Sequence, residues 1–71
     1  MSQLTHAQYE VLETAVTRGT RIAVSRRGTE FLMIPLALRY DSGREVIDAR
    51  NPTTGDALTL FVDELDRLEA L

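Results

Sequence analysis

The apolar residues of this chain change period once, at Gly19, and that change limits the fold more than any other feature. Before it, Tyr9, Leu12 and Val16, with Ala15 beside them, form one stripe at helical spacing. After it, apolar residues recur every second position through short segments divided by turn residues. A single-stripe helix cannot hide its apolar side alone, and a short sheet has the same need. The expected fold is therefore mainly β, α+β by content: an N-terminal helix capping a small antiparallel β-barrel of four to five strands.

The helix start is written in local chemistry. Thr5 and Gln8 have capping-box spacing, in which a hydroxyl and an amide side chain satisfy each other's backbone N–H groups. Leu4 and Tyr9 occupy the staple positions around it. Arg18 suits the negative end of the helix, and Gly19 suits a left-handed stop. The spacing predicts a helix over 5–18.

Strands are expected over 20–26, 29–40, 44–50 and 57–62. The first places Ile22 and Val24 on one face and Arg21, Ala23 and Ser25 on the other. Arg27-Gly28, Asp41-Ser42-Gly43 and the run from Asn51 to Asp56 read as turns. The second strand is apolar on both faces: Leu32, Ile34, Leu36 and Leu38 share one parity, and Phe31, Met33 and Pro35 share the other. Such a strand must be covered on both sides or sharply bent, and Pro35 marks an edge or a bulge. Residues 63–71 admit two readings. Leu65, Leu68 and Leu71 fit a helix, while a single turn at 63–65 followed by a closing strand through Leu68 and Ala70 fits equally.

With 71 residues the chain is one domain, 1–71, and its stability rests on a small core. Apolar residues are 44% of it, ordinary for a folded globule. There is no cysteine, no apolar run of membrane length and no basic-then-apolar leader, so a soluble, cytoplasmic chain is expected. Net charge is −3, and all eight basic residues are arginine. Seven of those arginines lie between residues 18 and 50, where only four acids accompany them. An acidic chain does not hold nucleic acid by bulk phosphate attraction, although a local arginine patch could still bind an anion.

The run Ile34-Pro35-Leu36-Ala37-Leu38, then Glu45-Val46-Ile47-Asp48-Ala49, then Phe61-Val62-Asp63-Glu64-Leu65, resembles the core of the WYL domain, a bacterial Sm-like small barrel of transcription and CRISPR regulators. The likeness spans about residues 20 to 68 and lies in framework positions, so it bears on fold more than function. Glu45, Val46 and Ile47 stand where that family has Trp-Tyr-Leu. Phe31 and Thr59 stand where it carries arginines that face a ligand, so none of its binding residues is carried over. A second likeness includes the helix. Residues 9–15, with 22–25, 45–49 and Val62-Asp63-Glu64-Leu65, are similar to the Rho-binding antiterminator family of small acidic Sm-like proteins. Both resemblances imply the same barrel and a regulatory role.

No set of side chains here can run a reaction. His6 is the sole histidine and has only Glu10 one turn on, short of a metal site. Ser25 and Ser42 lack a histidine to activate them, and there is no phosphate-binding glycine loop. Asp63, Glu64 and Asp66 read as a solvated acidic edge, and Tyr9 as a core residue. The expectation is no enzyme, no cofactor and no metal. The candidate binding residues are Arg26 and Arg27 at one hairpin tip, Arg39, Tyr40 and Arg44 around another, and Arg50 on the strand face shared with Arg44, Val46 and Asp48. These arginines either pair with Asp41, Glu45 and Asp48 or bind an anion or partner, since the guanidinium fork suits carboxylate and phosphate.

The leading expectation is a non-enzymatic module that docks on a protein partner, in transcription or RNA metabolism. An alternative is a WYL-like barrel that senses a ligand or nucleic acid through Arg39, Arg44 and Arg50. A third is a structural homo-oligomer, joined through a β edge near Pro35 or through the 65–71 tail. No membrane partner is expected.

Overall fold

A computed structural model describes residues 4–71. Helix α1 runs His6–Arg18, one residue inside the expected start, because Thr5 is its extended N-cap. The Gln8 N–H donates to Thr5 Oγ1 at 3.1 Å and the Thr5 N–H to Gln8 Oε1 at 2.9 Å, which completes the capping box. At the other end the Gly19 and Thr20 N–H groups both donate to the Ala15 carbonyl, at 2.8 and 3.2 Å, and stop the helix.

Five strands follow: β1 (Ile22–Arg26), β2 (Thr29–Asp41), β3 (Arg44–Arg50), β4 (Ala57–Phe61) and β5 (Arg67–Ala70), with a 3₁₀ turn at Val62–Glu64 before the last. The residues from Thr20 to Arg21 and Val62 thus fall outside the strands expected to include them. The chain's tail takes the turn-then-strand alternative, not the helix. All pairings are antiparallel, in the order β4-β3-β2-β1-β5. Two tight hairpin turns set the register. Arg27-Gly28 and Ser42-Gly43 each place two consecutive residues at positive φ, the backbone a two-residue hairpin needs to match strand twist.

Strand β2 is the central member, flanked by β1 and β3. The β1 ladder ends at Met33 and the β3 ladder begins at Ile34, so Pro35 is paired on one side only and lies beside a local β edge. Proline fits there because the register shifts between Pro35 and Ala37, leaving Leu36 as an extra residue. The shift also reverses the parity of β2. Phe31, Met33 and Pro35 point inward before it, and Leu38 points inward after it, opposite Ile47. One long strand thereby serves two differently oriented halves of the sheet.

The inner face closes over a single core. Ile22, Val24, Met33, Ile47, Ala49, Leu60 and Leu68 of the strands meet Leu12 and Ala15 of the helix, with Val62 and Leu65 at the corner between β4 and β5. Full burial of each large side chain stabilises the fold by about 1.5–3 kcal/mol relative to exposure. The helix rests on this face as expected, with Leu4, Tyr9, Val11 and Val16 packed around its contact.

The sheet does not close. Among the described residues no ladder joins β4 to β5, and no backbone hydrogen bond reaches β4 from its far side. The expected barrel is thus an open, bent five-stranded sheet. Its seam lies beside β4, because β5 turns away at the 3₁₀ corner to pair with β1, where the Asp66 N–H donates to the Ser25 carbonyl at 2.8 Å. No helix among the described residues is long and apolar enough to cross a membrane.

Candidate functional site

The six candidate residues separate into distinct places. Arg39 and Arg44 lie on the outer face of the β2–β3–β4 half, and both are engaged. Arg39 Nε and Nη2 donate to the two carboxylate oxygens of Asp48, at 2.7 and 3.2 Å. Arg44 grips Asp63 in the same two-pronged way, at 2.9 and 2.7 Å, with Glu64 3.6 Å away. The Arg44 guanidinium also stacks 3.7 Å from the centre of the Phe61 ring. Asp41 and Glu45, expected among the partners, form no ion pair with either arginine among the described residues; the partner of Arg44 arrives from beyond β4.

The acidic C-terminal cluster keeps contact with solvent, as expected, but its carboxylates are all engaged. Asp63 and Glu64 hold Arg44, Glu64 lies 4.0 Å from Arg26, and Asp66 Oδ2 accepts the Arg27 backbone N–H at 2.9 Å. Each acid ties the 3₁₀ corner to a neighbouring element. Spacing alone hides this, because the partners are 19 to 39 residues away in the chain.

These pairs shift titration in a definite sense. Hydrogen bonds from Arg39 hold the Asp48 carboxyl below its ordinary value of 3.8, and those from Arg44 do the same for Asp63. Partial burial pushes Glu45 up from 4.5. A lowered carboxylate stabilises the fold fully above its ordinary value, and that stability is lost as pH falls through the lowered one. Glu45 has the opposite sign: its cost is present above its raised value and disappears as it takes a proton. On acidification, stability should therefore rise slightly and then fall. The double variant Asp48→Asn/Asp63→Asn should be less stable than the parent at neutral pH, and the gap should close toward about pH 2. Urea unfolding across that range reads it; a gap constant with pH would refute the assignment.

Tyr40 stands 73% exposed beside a shallow depression shared with Tyr9 and Glu45, and its hydroxyl makes no hydrogen bond among the described residues. Tyr9 is partly buried against the core, as expected. His6 pairs with Glu10 at 2.9 Å on the exposed side of the helix. Arg50 lies on the outer face, opposite Ile34, where it forms no ion pair among the described residues. It shares that face with Arg44, Val46 and Asp48 as expected, but six residues separate it from Arg44.

Arg26 and Arg27 do meet a site. They form one wall of an open groove of about 810 Å³ along the seam. Thr29 and Phe31 continue that wall, and Leu58, Thr59 and Leu60 form the other. Three consecutive residues of a strand point to alternate faces, so a groove lined by all three runs along the strand's edge. One end is closed by Glu64. At the other sits Asn51, whose side-chain oxygen accepts the Thr53 and Thr54 N–H groups at 2.8 and 3.2 Å and fixes the β3–β4 loop. Arg26 lies over the Phe31 ring at 5.9 Å, and the Arg27 side chain makes no ion pair among the described residues.

The β4 wall of this groove was not anticipated as a site. The one signal was indirect: Phe31 and Thr59, the positions where the WYL resemblance leads one to look for arginines, both line this groove as uncharged residues. Among the described residues no group of three or more His, Cys, Asp and Glu could hold a metal ion. No family model, no curated protein and no solved structure matches the chain.

Proposed function

We propose that the chain is a non-enzymatic docking module that takes an extended segment of a partner protein as an added strand on β4. The observation that carries this is the free edge of β4 facing the seam groove. Alternate residues of an edge strand direct their N–H and C=O groups away from the sheet, and a peptide laid alongside satisfies them. The groove adds selectivity. Phe31 and Leu58 offer apolar contact to every second side chain of the guest, and Arg27 offers a free guanidinium to an acidic one. The guest is therefore an extended, apolar segment carrying an aspartate or glutamate.

Nucleic acid is the weaker partner on two counts. The chain carries net charge −3, and Arg39 and Arg44, two of the three arginines on which that reading rests, are already held by carboxylates. In this reading the fold is an Sm-like small barrel opened along one seam. The motif resemblances to the WYL and Rho-binding antiterminator families support a cytoplasmic regulator that acts on transcription or RNA metabolism through a protein.

Selection from a random peptide library, followed by amide-resolved NMR of the bound state, tests the docking. Bound peptides should shift and protect residues 57–61 and 26–31. Arg27→Glu should weaken an acidic binder by at least about tenfold, or ~1.4 kcal/mol. The fold should survive that change, because Arg27 supports it through its backbone N–H. Binders that perturb other residues, or a library that yields none, would remove this reading.

A further inference from the structure

We infer that the chain also forms a twofold dimer through the outer face of the β5–β1–β2 half, a surface whose central residues are separate from the groove. Side chains sort onto this face by register. Ala23 lies opposite Leu32 on one side and Glu69 on the other, Ser25 lies opposite Glu30 and Arg67, and Ile34 lies opposite Arg50. Arg21 precedes β1 by one residue and lines a shallow pocket with Ile34 and Leu71. Leu32 and Leu36 are 41% and 48% exposed, and Leu71 is exposed as well. The result is an apolar strip down the middle of the face, on the one strand whose sequence is apolar on both sides. The helix covers only the inner side of that strand.

The charges around the strip say what covers it. Glu30 stands two residues before Leu32, and Arg21 and Arg50 flank Ile34 two residues after it. None of these three makes an ion pair among the described residues. Place a twofold axis in the interface, crossing β2 at Leu32. Leu32 then meets its own copy, and the Glu30 end of each protomer falls on the Ile34 end of the other. Each Glu30 drops between Arg21 and Arg50 of the partner copy, at the sheet-to-sheet spacing of about 10 Å that interleaved side chains fill. Glu69, which the axis brings near its own copy at the rim, lies 4.0 Å from Arg67 of its own chain. The face is thus complementary to itself, which a closed twofold interface requires.

The symmetry supplies a sharp test, because every contact occurs twice. Glu30→Arg places an arginine between two arginines at each contact, and the double variant Arg21→Glu/Arg50→Glu places an acid between two acids. Each variant alone should lose dimerisation by at least about a hundredfold in dissociation constant, while circular dichroism stays unchanged. An equimolar mixture of the two should dimerise again, because in the mixed pair both contacts join opposite charges. Leu32→Asp should give a folded monomer that no mixing rescues. Sedimentation velocity over a range of concentrations reads all four samples and the parent chain. A parent chain that stays monomeric at millimolar concentration would overturn the inference, as would a Leu32→Asp variant that still dimerises or a mixture no larger than its components. Peptide capture at the seam groove is read separately by NMR, so either result stands without the other.

Discussion

Leu12→Ala should destabilise the fold by about 2–5 kcal/mol, the biggest loss expected from any single truncation of the helix. Leu12 has no exposed surface, and only Ala15 joins it as a fully buried residue of α1. A helix of 13 residues is too short to persist in water alone, so its order depends on this contact. Removing a buried leucine side chain costs about 2–5 kcal/mol, the upper part of that range applying where the surroundings cannot collapse into the space. Here they are strands held by ladder hydrogen bonds, with little freedom to move inward. At about 0.05–0.15 kcal/mol per residue the whole domain has a stability on the order of 4–11 kcal/mol, so one truncation consumes a large share. The loss should reach beyond the helix, since Ile22, Met33 and Leu68 pack in the same cluster. Urea unfolding followed by far-ultraviolet circular dichroism measures it, with exposed Glu13→Ala as a control expected within about 0.5 kcal/mol of the parent. A Leu12→Ala variant within 1 kcal/mol of the parent would show that the helix is a loose attachment and the sheet stands without it.

The same contact shows where sequence reading succeeds. The helix was legible because its determinants are local: a capping box four residues long, a stripe read over three turns, and a glycine at the stop. The hairpins at Arg27-Gly28 and Ser42-Gly43 were legible for the same reason. What escaped was set by pairing over distance. Pro35 signals a bulge or an edge, and only the strand pairings show that it has both, a register shift toward β3 and no β1 partner past Met33. Strand periodicity also predicts closure of the barrel, because it counts faces and not ladders. The 3₁₀ corner at Val62–Glu64 sends β5 to β1 and leaves the edge of β4 free, and no spacing in the sequence announces that choice. The candidate arginines divide along the same line. Arg26 and Arg27 came together at a hairpin tip that local residues define. The roles of Arg39 and Arg44 depended on Asp48 and Asp63, and the partner of Arg44 comes from an element whose path was open until the structure placed it.

Val46→Asp should destabilise the fold by about 3 kcal/mol or more, although alternation along β3 places Val46 on the outer, nominally wet face. Ile47 and Ala49 face the core, so Val46 must point the other way, yet it has no exposed surface and lies outside the main core cluster. The outer face supplies its cover. Its cross-strand neighbours are Arg39 on one side and Phe61 on the other. Arg39 is held by Asp48, and Arg44 lies flat on Phe61 while Asp63 holds its far end. The long stems of the two arginines can roof an apolar residue while their charged ends remain wet. Their ion pairs then act chiefly as tethers that keep the roof in place, a different job from the anion binding their composition suggests. An aspartate at position 46 would be buried beneath that roof. It would also compete with Asp48 and Asp63 for the guanidinium groups and loosen the corner that positions β5. Val46→Thr, close in shape, should cost much less. The contrast between the two variants, measured by urea unfolding, separates a buried site from an exposed one: on a solvated face both changes would fall within about 0.5 kcal/mol of the parent, and the two arginines would then be free to bind after all.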